Sequence, residues 1–87
     1  MLKSLLYKAD MSEPVKELDL RGLKCPLPVL RTRKALRRLD VGERLLVLCT
    51  DPLSQVDIPH LVQELNDRLE VSRVEDSVFI FQVLRGG

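Results

Sequence analysis

Two cysteines carry the most reactive side chains in this sequence, and they lie in different settings. Cys25 stands between Lys24 and Pro26 in the run Lys-Cys-Pro-Leu-Pro. Cys49 ends an apolar run that begins at Leu45. The thiolate is the reactive form of cysteine, and a helix N-terminus or a nearby cation favours it. We therefore expect Cys25 to be the reactive thiol and Cys49 to be a core residue.

The two prolines of this run, Pro26 and Pro28, predict that a helix begins at Pro26. The fixed φ of proline suits the first helical position, where its missing N–H would have no intrahelical partner. Cys25 would then be the N-cap, with the positive end of the helix dipole and Lys24 beside it. This placement predicts a lowered pKa for the Cys25 thiol. In the alternative interpretation, Cys25 is a small structural residue and the prolines only start the helix.

Hydrophobic periodicity predicts a strand before the cysteine run and a helix after it. Leu18 and Leu20 alternate with acidic residues over positions 15–20, which is the pattern of a half-buried strand. After Pro28, apolar residues recur at helical spacing and basic residues cover the other sides of the predicted helix. We expect this helix to end near residues 40–42. The cysteine run therefore connects a strand to a helix.

The remainder of the chain predicts a second helix and three more strands. The apolar run 45–49 has the length of a buried central strand. A helix with Ser54 or Asp57 as its N-cap follows, and residues 71–75 and 78–84 predict a hairpin. The apolar positions of that helix are Ile58, Leu61, Val62, Leu65 and Leu69. The order βαβαββ predicts an α/β fold of the α+β two-layer type, with two helices on one face of a mixed four-stranded sheet.

Composition limits the function classes. A chain of 87 residues has the length of one domain. Its formal net charge of +1 provides no overall electrostatic field that would attract nucleic acid or an anionic membrane surface. No run approaches the ~20 apolar residues of a membrane span. Two cysteines and one histidine predict no metal or cofactor, and indicate reduced thiols in the cytoplasm. We expect residues 1–14 to form a flexible N-terminal extension and residues 15–87 to form one domain.

Basic residues crowd the first predicted helix and include Arg33, Lys34 and Arg37. They could dock an acidic partner protein near Cys25, or they could form a solvated helix face. Direct nucleic-acid binding is not expected, because this helix has no aromatic residue on which a base could stack.

The segment around Cys25 resembles the TusA-type, or SirA-like, sulfur carriers, whose hallmark is a C-P-x-P motif that opens the first helix. The likeness extends from about residue 17 to the end of the chain. The matching segments are Leu18 to Pro28, including the supporting motif residues Gly22, Lys24, Pro26 and Pro28, then Arg33-Lys34, Gly42-Glu43, Thr50-Asp51-Pro52, Asp57-Ile58-Pro59 and Arg85-Gly86-Gly87.

This resemblance implies a function as well as a fold. The motif cysteine, Cys25, would accept sulfur as a persulfide from a cysteine desulfurase or a rhodanese-like donor and pass it to a downstream acceptor protein. Such carriers serve tRNA thiolation, molybdenum cofactor maturation and sulfur oxidation, and the motif does not distinguish these routes. The protein would be a sulfurtransferase-type persulfide carrier that needs partner proteins to turn over.

Two other function classes remain open. Gly86-Gly87 could mark a ubiquitin-like carrier that is activated at its C-terminus. Ubiquitin-like folds resemble one another in opening with a β-hairpin, whereas this chain passes from one strand into a helix, so a flexible tail is the simpler interpretation. The protein could also be a non-catalytic regulatory or interaction module in which Cys25 is structural.

Overall fold

Within residues 15–86, which this computed structural model describes, two helices pack on one face of a four-stranded mixed sheet. The elements in chain order are β1 (Val15–Leu20), α1 (Leu27–Arg37), β2 (Arg44–Cys49), α2 (Ser54–Glu64), β3 (Arg68–Glu75) and β4 (Val78–Leu84). The predicted βαβαββ order and fold class are confirmed. The flexible extension expected for residues 1–14 lies outside the described residues.

The strand order across the sheet is β1-β2-β4-β3. β1 and β2 pair in parallel, with Leu20 opposite Cys49, and β4 pairs antiparallel with both β2 and β3. A parallel pair needs a crossover connection, which α1 supplies. Because parallel neighbours end at the same edge of the sheet, the segments that follow Leu20 and Cys49 emerge side by side.

The hydrophobic core lies between the helices and the sheet. Leu36 of α1 and Ile58 of α2 have no exposed surface and belong to one buried cluster with Val47 and Phe81 of the central strands. Each such side chain contributes about 1.5–3 kcal/mol when it is fully buried. Cys49 belongs to the same cluster, which confirms its predicted place in the core.

The end of α2 differs from the sequence prediction. The helix ends at Glu64, and Leu69 belongs to β3, so the assignment of Leu69 to the helical pattern is wrong. Asn66 adopts a positive φ of 61°, and its N–H donates to the Gln63 carbonyl. This left-handed residue ends the helix, and the next strand starts at Arg68 instead of residue 71.

The start of α2 also differs. Leu53 occupies the N-cap position and no side chain caps the helix, so neither Ser54 nor Asp57 is the N-cap. Asp57 lies in the first turn instead, where its negative charge interacts favourably with the helix dipole.

The sheet face away from the helices carries a polar network. Arg44 and Gln82 alternate along their strands with the core residues Leu45 and Val83, so they point to the opposite face. The Glu70 carboxylate accepts hydrogen bonds from Arg44 Nε at 2.7 Å and from Gln82 Nε2 at 3.1 Å. These bonds connect β2, β3 and β4 on this face.

The C-terminal residues Arg85 and Gly86 are tied to the fold. The Arg85 N–H donates to the Glu43 carbonyl, and the Gly86 N–H donates to Asp67 Oδ1, both at 2.9 Å. A Cβ atom at Gly86 would lie 2.8 Å from the carbonyl oxygen of Asn66, so this approach needs glycine. The interpretation of Gly86-Gly87 as a flexible tail is wrong for Gly86, and residue 87 lies outside the described range.

Candidate functional site

Cys25 lies in the turn between β1 and α1, and it is exposed. The helix begins at Leu27, and Pro26 occupies the N-cap position with φ −97° and ψ 12°. The peptide bond between Cys25 and Pro26 is cis. The prediction that Cys25 caps the helix is therefore wrong, because the cysteine lies one residue farther from the helix end.

The turn that carries Cys25 is held by residues that follow β2. The Gly22 N–H donates to Thr50 Oγ1 at 2.9 Å, and Gly22 has a φ of +87°, a region that glycine enters without steric cost. The Cys25 N–H donates to the Asp51 carboxylate, which also accepts a bond from the Leu53 N–H. The parallel pairing of β1 and β2 thus positions the cysteine backbone.

The other predicted motif residues support the turn through the backbone. The Lys24 carbonyl accepts a hydrogen bond from the Leu27 N–H at 2.9 Å, and the Lys24 side chain is exposed. Pro28 is buried in the first turn of α1. Within the described part of the chain, the Lys24 side chain forms no hydrogen bond or ion pair with Cys25.

Carboxylates dominate the electrostatics at the thiol. Cys25 Sγ lies 3.5 Å from Asp57 Oδ2, a distance at which a thiol donates a hydrogen bond to a carboxylate. Partial desolvation of the sulfur, the hydrogen bond to Asp57 and the charges of Asp57 and Asp51 raise the pKa of the Cys25 thiol above its ordinary value. The expectation of a lowered pKa is therefore wrong.

An open cavity lies beside Cys25, between the start of α1 and α2, with a volume of about 180 Å³. A group that enters this cavity meets the thiol and a carboxylate together. The lining consists of Cys25, Pro26, Val29, Asp57, His60, Leu61 and Glu64.

Sequence reasoning missed Asp51, Asp57 and His60 as site residues. The signal that could have found them is their position shortly after β2, whose parallel neighbour β1 leads directly to Cys25. Polar residues just beyond the carboxyl ends of neighbouring parallel strands meet at one edge of the sheet.

The predicted docking residues lie on α1. Lys34 and Arg37 are exposed, whereas Arg33 is partly buried and its guanidinium forms an ion pair with Glu64 of α2 at 3.5 Å. Large apolar side chains are exposed at the starts of both helices: Leu27, Leu30, Leu53 and Val56. Exposed apolar side chains therefore lie at the helix starts, and the cations Lys34 and Arg37 lie in the last turn of α1.

Among residues 15–86, no group of three or more histidine, cysteine, aspartate or glutamate side chains is arranged to hold a metal ion. Neither α1 nor α2 has the length and apolar character needed to cross a lipid bilayer.

Comparisons with known proteins agree on one family. The family model described as sulfurtransferase TusA matches residues 16–85. A candidate sulfur carrier protein of Archaeoglobus fulgidus is 44% identical over 70 residues, which cover 79% of this chain and 91% of that protein. The crystal structure of a SirA-like protein from Desulfitobacterium hafniense has the same fold, with a TM-score of 0.73 and 24% identity over 85% of this chain and 100% of that one.

Proposed function

Because the chain belongs to the TusA sulfurtransferase family, we propose that it is a sulfur carrier that accepts sulfur as a persulfide on Cys25 and relays it to an acceptor. The observation that carries the proposal is the exposure of Cys25 beside a cavity, whereas Cys49 is buried in the core. A cysteine on another protein can meet an exposed thiol without any opening of the fold. The activity belongs in the cytoplasm, where thiols are kept reduced.

The turn geometry supports this role. Hydrogen bonds from Gly22 and from the backbone of Cys25 hold the turn, and neither bond uses the sulfur atom. The thiol can therefore gain or lose a sulfur without disturbing the bonds that position it. Since the chain would carry one sulfur on one cysteine, it needs a donor, either a cysteine desulfurase or a rhodanese-like protein, and a downstream acceptor protein.

The surface of α1 is the proposed docking face for these partners. Lys34 and Arg37 are exposed cations on the helix that starts beside Cys25, and Leu27 and Leu30 add exposed apolar area on the same helix. Apolar anchors supply affinity at a protein interface, and complementary charge accelerates and orients the encounter. An acidic surface around the reactive cysteine of the partner would fit this face.

Mass spectrometry of the full-length chain, after incubation with a cysteine desulfurase and cysteine, tests the proposal. We expect a mass increase of one sulfur that maps to Cys25 and is absent in Cys25→Ser. In a parallel reaction that also contains ATP and an adenylating enzyme to activate the C-terminal carboxylate, sulfur on the C-terminal residue would instead favour the ubiquitin-like alternative. A chain that takes up no sulfur from desulfurase, rhodanese or small persulfides would favour the regulatory module.

A further inference from the structure

Asp57 is the side chain that hydrogen-bonds the Cys25 sulfur within residues 15–86. Its Oδ2 atom lies 3.5 Å from Sγ, and the residue is half-buried in the first turn of α2. Asp57 also lines the cavity that Cys25 lines. A reacting group that reaches the thiol through this cavity therefore comes within reach of the Asp57 carboxylate.

The site must remove a proton before Cys25 can react, because the thiolate is the nucleophilic form. Desolvation and the carboxylates of Asp57 and Asp51 raise the pKa of this thiol, so the resting protein holds it protonated near neutral pH. The other titratable groups on the cavity wall are His60 and Glu64, both on α2. Of these four groups, Asp57 is the one in contact with the sulfur.

Resting on the sulfur-carrier function proposed above, we propose that Asp57 is a catalytic residue that carries the Cys25 proton during sulfur transfer. The carboxylate takes the proton from Sγ as the sulfur attacks the outer sulfur of a protonated persulfide on the donor. A new S–S bond forms at Cys25, and the S–S bond of the donor breaks with its electron pair left on the donor cysteine. Asp57 then returns the proton to that thiolate.

The exchange balances without any further reactant. A donor persulfide and a Cys25 thiol become a donor thiol and a Cys25 persulfide, and the transferred sulfur keeps its oxidation state throughout. The step therefore needs a group that accepts and returns one proton at the reacting sulfur. A carboxylate that touches both the cysteine and the cavity meets that need.

Two reactions of Cys25 separate this role from a simple charge effect. Alkylation by iodoacetamide releases iodide, which needs no proton, so its rate follows the thiolate fraction alone. Loading by glutathione persulfide releases a thiolate, which must be protonated. Asp57→Asn removes the charge and the base but keeps the size of the side chain.

We expect Asp57→Asn to speed alkylation of Cys25 near neutral pH, because a carboxylate that disfavours the thiolate is gone. The same variant should slow single-turnover loading by glutathione persulfide about a hundredfold or more, as is usual when a positioned proton carrier is lost. Both rates are measured over a series of pH values by mass spectrometry. Asp57→Glu keeps a carboxylate and should recover part of the loading rate.

Asp76→Asn is the matched control, since it makes the same charge change in the β3–β4 turn, and both of its rates should equal those of the wild type. The inference is overturned if Asp57→Asn loads at the wild-type rate, or if its loading and alkylation accelerate together. It is also overturned if His60→Gln loses loading while Asp57→Asn does not. A wild-type chain that takes no sulfur from glutathione persulfide, from a cysteine desulfurase or from a rhodanese would defeat the sulfur-carrier function itself.

Discussion

Replacement of Cys49 by serine tests whether this cysteine serves the fold and not the chemistry. Cys49 ends β2, has no exposed surface and lies opposite Leu20 of β1 and Phe79 of β4. A hydroxyl at this position would enter an apolar setting. One polar group is close, the Ser54 hydroxyl, which donates to the Asp51 carbonyl at 2.7 Å. Burial raises the pKa of the Cys49 thiol, and this hydroxyl opposes the shift.

We expect Cys49→Ser to lower the free energy of unfolding by about 1–2 kcal/mol. A buried hydroxyl without a partner costs about 1–3 kcal/mol, and the Ser54 oxygen can still accept a bond, which favours the lower part of that range. For a domain of this size, each 1 kcal/mol lowers Tm by roughly 4–8 °C. Cys25→Ser changes an exposed turn residue and should leave the stability unchanged within error.

Urea titrations followed by far-UV circular dichroism under reducing conditions measure these changes. Cys49→Ala is the matched control, since it removes the sulfur without adding a hydroxyl, and a cavity of methyl size costs about 1 kcal/mol. A Cys49→Ser variant as stable as the wild type, or a greater loss in Cys25→Ser, would refute the core assignment. A loss far beyond that of Cys49→Ala would show that Ser54 does not satisfy the hydroxyl.

Two further predictions concern charged residues. Replacing Lys34 and Arg37 by glutamate should slow sulfur transfer from a cysteine desulfurase with little effect on loading by glutathione persulfide, and equal effects on both rates would contradict the docking face. Arg33 stays unchanged in that variant because it forms an ion pair with α2. The Arg44 guanidinium holds the pKa of Glu70 below its ordinary value. The ion pair therefore contributes fully to stability at pH values above the pKa of Glu70 in the unfolded chain. This contribution is lost as the pH falls through the lower pKa of Glu70 in the folded protein. Glu70→Gln should lower the free energy of unfolding by less than about 1 kcal/mol near neutral pH, because the pair is partly exposed. Urea titrations at several pH values should show that the free energy of unfolding falls less on acidification in this variant than in the wild type.

Local sequence patterns were sufficient for the order of the elements. The alternation at Leu18 and Leu20 and the apolar run 45–49 each follow from which side chains must be buried, and the structure contains both strands. The limit of local patterns is visible at Leu69. Its spacing from Leu65 fits a helix, but the left-handed conformation of Asn66 ends α2 before it. Periodicity records which residues are apolar and does not record where the backbone turns.

The site likewise has one feature that the local sequence determines and one that it does not. The sequence by itself determined that Cys25 belongs to the turn between the first strand and the first helix, because that position depends on neighbouring residues. The tertiary structure decided the protonation of the thiol. Asp51 and Asp57 lie 26 and 32 residues away along the chain, and the parallel pairing of β1 with β2 brings their segment to the same edge of the sheet. Within residues 15–86, Lys24 is adjacent to Cys25 in sequence but forms no hydrogen bond or ion pair with it. Desolvation and the carboxylates of a distant segment raise the thiol pKa that the local sequence predicted to be lowered.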